Sequence, residues 1–159
     1  MQMTRVLFVC LGNICRSPTA DGIFRQLVIR ENLDQKIMVD SAGTGGWHIG
    51  KAPDSRTVAA AYQRGYDLSI LQARQVNVQD FAEFDYVLAM DKSNLSDLQR
   101  MKPSSYTGRL GLFLEFGSRG DYREVPDPYY GSNDGFELVL DLVEDAAQGL
   151  LNHIRKSPY

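Results

Sequence analysis

A chain of 159 residues with 43% hydrophobic and 23% charged residues can build one domain with a real core, and positions 1–159 read as a single domain without repeat, low-complexity tract or linker. Its formal net charge of −3 provides no broad attraction to nucleic acid or to an acidic membrane, so neither is expected as a partner. No apolar run reaches bilayer length, and the opening MQMTRVLFVCLG lacks the charged start and long apolar stretch of a secretory leader, so a cytoplasmic location is expected.

Val6–Val9 predicts a short, fully buried strand. It breaks into CLGNICRS, after which Ser17-Pro18 predicts a helix start, with Ser17 as N-cap and Pro18 at the first helical position. Ile23, Phe24, Leu27 and Val28 follow at helical spacing. Ile37–Val39 is a second strand, running into DSAGTGG. Pro53 opens a second helix through Val58 and Tyr62, stopped near Gly65. Tyr86–Met90 is a third strand, followed by a helix from about Asp91 to Met101. Arg109–Leu114 fits either a fourth strand or a helical turn. Beyond the loop GSRGDYREVPDPYYGSN, the last helix starts near Asp134, with Glu137 in capping-box position. Its apolar stripe is Phe136, Val139, Leu140, Val143, Ala147, Leu150, Leu151 and Ile154. Strands that alternate with helices predict a parallel sheet covered on both faces, with ligands beyond the carboxyl ends of the strands. CLGNICRS and DKSN both fall there.

A strand end, a short loop and a helix start can converge backbone N–H groups and a positive dipole end on one point, which makes an anion cradle. Gly12 allows close backbone approach, and Asn13 tolerates left-handed φ. Arg16 supplies a planar fork for two phosphate oxygens. Cys10 sits at the bottom, where the same field favours a thiolate and the Ser17 hydroxyl can donate to the sulfur. Such a thiolate facing a phosphate monoester is a nucleophile aimed at phosphorus. The plainer alternative is a cysteine that merely fills space, and C-x5-R alone is a weak signal. A P-loop NTPase would need G-x-x-x-x-G-K-[ST], which is absent. Cys10 and Cys15 do not have zinc spacing, and the two histidines, His48 and His153, are remote, so no metal and no cofactor is expected. Expelling a tyrosine oxygen needs a proton donor. Asp127 in VPDPYYG is the candidate, between two stiffening prolines and beside Tyr129 and Tyr130; the alternative is an ordinary Asp-Pro surface turn.

VLFVCLGNICRSPTA and DPYYG together resemble the low-molecular-weight protein tyrosine phosphatases. The resemblance extends over nearly the whole chain through DSAGT at 40–44, Trp47, RGYDL at 64–68, ARQV at 73–76 and FDYVLAMDKSNLSDL at 84–98. It implies a three-layer α/β fold whose four-stranded parallel sheet, order 2-1-3-4, is flanked by helices on both faces. It also implies hydrolysis of phosphotyrosine and small aryl phosphates through a phosphocysteine. Cys10 would be the nucleophile, Arg16 the phosphate clamp, and Asp127 the general acid and later the base that activates water. Asn13 and Ser17 would shape the loop and the thiolate. Leu11, Gly12, Ile14, Cys15, Trp47, His48, Tyr129 and Tyr130 would complete the substrate site. The glycines around Trp47 place it on a loop rather than in the core. Asp91 caps a helix and is placed to reach Arg16, and Ser41 is placed to bond Asn13. Expected partners are phosphotyrosine-containing proteins, phosphate-like oxyanions as inhibitors, and a tyrosine kinase acting on Tyr129 or Tyr130.

One position departs from the pattern. Many members carry a histidine between the Asp-Leu and Ala-Arg-Gln segments that contacts the loop asparagine; here the position is Leu71, so that network must be reduced or rebuilt. Three rival readings are weaker. Arsenate reductases of this fold need further cysteines, and none follows Cys15. Arginine phosphatases tend to carry Thr where this loop has Ile14. A catalytically dead phosphotyrosine binder would not need Cys10, Arg16 and Asp127 together.

Overall fold

The structure, a computed structural model, describes residues 3–129 and 133–156. In chain order the elements are β1 (Thr4–Cys10), α1 (Arg16–Arg30), β2 (Ile37–Gly43), α2 (Ser55–Tyr62), α3 (Asp80–Glu83), β3 (Tyr86–Ala89), α4 (Lys92–Met101), β4 (Arg109–Leu112) and α5 (Asn133–Lys156), with a 3-10 turn at Phe113–Phe116 before the long loop. The sheet is four-stranded and wholly parallel in the order β2-β1-β3-β4. Fold class and strand order are therefore those the family resemblance implied.

Both faces of the central strand are dry. Val6, Phe8 and Cys10 face a core shared with α1 and α5, whereas Leu7 and Val9 face Phe81 of α3 and Leu98 of α4. The period of two is hidden in the sequence because each side is apolar, as a strand covered on both faces requires. Phe8 anchors the larger core, edge-on to Phe24 at 5.7 Å and to Phe113 at 4.9 Å. The expected stripe of α5 is buried at all eight positions. Among the described residues, no helix is long and apolar enough to cross a membrane.

Several boundaries differ from expectation. Helix α1 begins at Arg16, two residues before the expected Pro18; Cys15 is its N-cap position, and no side chain caps it. Ser17 lies inside the first turn because its hydroxyl is used on the Cys10 sulfur. Strand β2 continues to Gly43, since its backbone pairs with β1 as far as Cys10↔Gly43. Pro53 stays outside α2, which Asp54 caps by accepting from the Arg56 N–H at 2.9 Å. Met90 falls just beyond β3. The ambiguous stretch Arg109–Leu114 is both things at once: a strand to Leu112, then the 3-10 turn. Asp134 is already within α5, so it is not the cap, and Glu137 instead accepts from Arg64 at 2.7 Å. Helix α3 is too short to leave a periodic signal.

Candidate active site

The site forms where β1 ends and α1 begins. Asn13 is the keystone of that loop. Its φ of 58° is left-handed, a conformation Asn accepts more readily than most residues. Its Nδ2 donates to Ser17 Oγ at 2.8 Å and Ser41 Oγ at 3.1 Å, while its Oδ1 accepts from the backbone N–H of Arg74 at 2.9 Å. The loop also rests on the end of β2, where a Cβ at Gly43 would fall 2.7 Å from the Leu11 carbonyl oxygen. Gly12 has a different reason to lack a side chain: a Cβ there would meet the His48 ring at 3.1 Å.

These bonds bring two polar groups to one sulfur. The Asn13 N–H lies 3.3 Å from Cys10 Sγ, and Ser17 Oγ lies 3.0 Å from it. The sulfur is thus held against the loop backbone and the first turn of the helix that follows it. Arg16, 3% exposed, stands close by. Its Nη1 donates to Asp91 Oδ2 at 2.6 Å and to the Val125 carbonyl at 3.0 Å, and its Nη2 lies 3.6 Å from Asp127 Oδ2. Burial disfavours the guanidinium charge, but Cys10, Asp91 and Asp127 outweigh it and raise the Arg16 pKa. Asp91 meanwhile caps α4 through its other oxygen, accepting from the Asn94 N–H at 2.7 Å.

Cys10, Arg16 and Asp127 open into one cavity of about 450 Å³, together with Leu11, Gly12, Ile14, Cys15, Trp47, His48 and Tyr129. Asn13 and Ser17 lie behind its wall, and Tyr130 lies outside the described residues. Trp47 is 69% exposed, which rules out core filling, and its ring lies over Gly45, leaving no room there for a Cβ. Asp127 stands at the rim, its Oδ1 accepting from the Tyr129 N–H at 3.1 Å in a local turn. Cys15 is buried; burial first, then the negative charges nearby, push its thiol up to about 12. Its thiol therefore stays protonated at neutral pH.

Two contributors escaped sequence reasoning. Val125 offers a backbone carbonyl, which has no sequence signature. Arg74 stood only as a letter of ARQV, yet its N–H holds Asn13 and its guanidinium is fastened to Asp80 at 3.0 and 3.1 Å and to Asp40 at 3.1 Å. Arg74 also resolves the departure at Leu71. That side chain packs against the core, and the asparagine network is rebuilt on a backbone donor.

The sequence pattern of the low molecular weight phosphotyrosine protein phosphatases matches residues 5–158. The chain belongs to that family. It is 44% identical over 154 residues to the low molecular weight protein-tyrosine-phosphatase YfkJ of Bacillus subtilis, covering 97% of each chain. A crystal structure of a protein tyrosine phosphatase from Entamoeba histolytica with Hepes in the active site superposes with a TM-score of 0.93 at 38% identity, covering 98% of this chain and 99% of that one. A Drosophila arginine phosphatase shares the fold at a TM-score of 0.89 and 35% identity, covering 99% and 100% of the respective chains. The phosphatase is thus a hydrolase of phosphotyrosine in proteins, of the class that passes through a phosphocysteine.

Proposed function

We propose that the phosphatase hydrolyses phosphotyrosine and small aryl phosphates with Cys10 as nucleophile, Arg16 as phosphate clamp and Asp127 as acid and then base. The observation that carries this reading is the Cys10 sulfur, bonded by Asn13 N–H and Ser17 Oγ, opening with Arg16 and Asp127 into one cavity. In the first step a sulfur lone pair forms the S–P bond, the P–O ester bond breaks, and Asp127 gives its proton to the departing phenolic oxygen. In the second, Asp127 takes a proton from water as that water attacks phosphorus. The S–P bond then breaks, releasing inorganic phosphate and the thiolate. Loop N–H groups and Arg16 hold the equatorial oxygens throughout.

The rim supports an aryl substrate. Trp47 and Tyr129 flank the cavity and can stack on a phenyl ring for about 0.5–1.5 kcal/mol beyond burial. Ile14 presents an apolar wall where a guanidinium-bearing substrate would want a polar one, which favours phosphotyrosine over phosphoarginine. Inorganic phosphate and similar oxyanions should occupy the same cradle and inhibit. The same reading places the enzyme in the cytoplasm, and half-buried Tyr129, with Tyr130, as acceptors for a tyrosine kinase. Turnover of p-nitrophenyl phosphate tests the core of it. Cys10→Ser should remove at least about 10³ of kcat, because a hydroxyl ionises far less readily than a thiol. Turnover near the wild-type rate would refute a cysteine nucleophile.

A further inference from the structure

Asp127 must exchange protons at a fixed distance from a bound phosphate ester, yet it belongs to no strand or helix. Its carboxylate is 40% exposed, and Arg16 approaches no closer than 3.6 Å. Among the described residues its hydrogen-bond donor is the Tyr129 N–H, which belongs to its own loop. Beside the Val125 carbonyl on Arg16, a contact from α2 ties the Asp127 end of that loop to the phosphate cradle.

Arg56 lies in the first turn of α2. Its Nη2 donates to the Tyr129 carbonyl at 2.8 Å. Its Cζ stands 5.4 Å from the Tyr129 ring centroid and 4.9 Å from that of Phe136 in α5. The same Nη2, together with Nε, grips Asp54, Nε to Oδ1 and Nη2 to Oδ2, both at 3.1 Å. Asp54 in turn donates its N–H to the Ile14 carbonyl in the phosphate loop at 2.8 Å. A continuous path therefore runs from Ile14 through Asp54, Arg56 and Tyr129 to Asp127 Oδ1. One end holds the phosphate, and the other protonates its leaving group.

We propose that Arg56 is a positioning residue, tying the Asp127 loop to the phosphate loop so that the carboxyl meets the leaving oxygen. A planar guanidinium suits the task. It grips a carboxylate side-on, spares an N–H for the carbonyl, and stacks against two rings, which an ammonium cannot do together. Small displacements at this distance are costly: about 1 Å of misplacement can remove roughly 10² of rate. The plainer alternative is a surface ion pair that only steadies α2. The proposal rests on Asp127 being the acid, and the test separates the two claims.

The experiment is kcat/KM over a series of aryl phosphates, from phosphotyrosine to esters of strongly acidic phenols, for wild type, Arg56→Ala, Arg56→Lys, Asp127→Asn and Arg56→Ala with Asp127→Asn. Arg56→Ala should lose roughly tenfold to fiftyfold on phosphotyrosine and less than about threefold on the most acidic phenol, whose departure needs no proton. Arg56→Lys should show the same slope change in smaller measure. Competitive inhibition by inorganic phosphate should stay within about twofold, because the cradle is untouched. In the double variant the loss should exceed that of Asp127→Asn by no more than about twofold, since the two act as one unit. A uniform loss across all esters, no loss, or full additivity would overturn the role of Arg56 alone. A flat series for Asp127→Asn would overturn the acid assignment and this proposal with it.

Discussion

The loop at Cys10–Ser17 and the loop at Glu124–Tyr129 meet over one cavity but are built in opposite ways. The first is strung between the central strand and a helix. Cys10, Asn13, Arg16 and Ser17 are all buried, and every polar atom of the Asn13 side chain is bonded. The second leaves the sheet edge after β4 and crosses back over the molecule. It is fastened at a few points: Val125 N–H to the Met90 carbonyl, the Val125 carbonyl to Arg16, Glu124 to the Lys92 N–H, and Tyr129 to Arg56. Under the proposed mechanism the nucleophile, Cys10, is thus enclosed in the core, whereas the acid, Asp127, is left near water. On that reading, anion binding and nucleophilicity would be pre-organised by folding, and proton delivery would depend on long-range ties.

That contrast can be broken from the first loop outward. The largest effect is expected from Arg16→Lys. A point charge cannot clamp two phosphate oxygens while also bonding Asp91 and Val125, so kcat/KM should fall about 10²–10³-fold with phosphotyrosine. The loss should be similar for every leaving group, unlike that of Asp127→Asn; steady-state rates over the ester series check both. Asn13→Ala comes next. It strands Ser17, Ser41 and the Arg74 N–H and places Ala at a left-handed φ, so about 1–3 kcal/mol of stability should be lost. Catalysis should fall by at least tenfold as the sulfur loses its ordered donors. Thermal melts with parallel assays measure both, and an unchanged melting temperature would show that the loop is not set by Asn13.

The smallest effect concerns the second loop and pH. Burial opposes ionisation of Asp54, but its hydrogen bonds from the Arg56 side chain and backbone outweigh it and hold its pKa below the ordinary carboxylate value. A depressed folded-state pKa contributes stability that is present above the unfolded value and lost as pH falls through the folded one. The difference in melting temperature between wild type and Asp54→Asn should therefore be constant near neutral pH and shrink below the ordinary carboxylate range. A difference that grows with acidity would reverse the sign and contradict the Asp54–Arg56 tie.

The two loops also differed in how far they could be read in advance. Cys10, Arg16 and Ser17 were legible because strand, loop and helix are adjacent in the chain, so their spacing determines their geometry. Ser17, expected as a cap, lies inside α1, and its hydroxyl is spent on the Cys10 sulfur and Asn13 instead. Asp127 stood out by its prolines and tyrosines, but its approach to Arg16 depends on how a long loop folds back. Arg74 and Arg56 were invisible as site residues. Each acts across more than 60 positions, Arg74 through its backbone N–H and Arg56 onto a backbone carbonyl, and neither contact follows a period. Glu137, expected in a capping box, instead pairs with Arg64 across 73 positions, a contact that no local motif announces.

The most direct test of the account is acid-quench trapping of the enzyme during turnover of an aryl phosphate, followed by peptide mass analysis. The account predicts phosphate on the peptide containing Cys10, localised to its sulfur, absent in Cys10→Ser and accumulating in any variant that slows water attack. Phosphate on another side chain, or steady turnover with no phosphoenzyme under conditions that preserve a phosphocysteine standard, would contradict it.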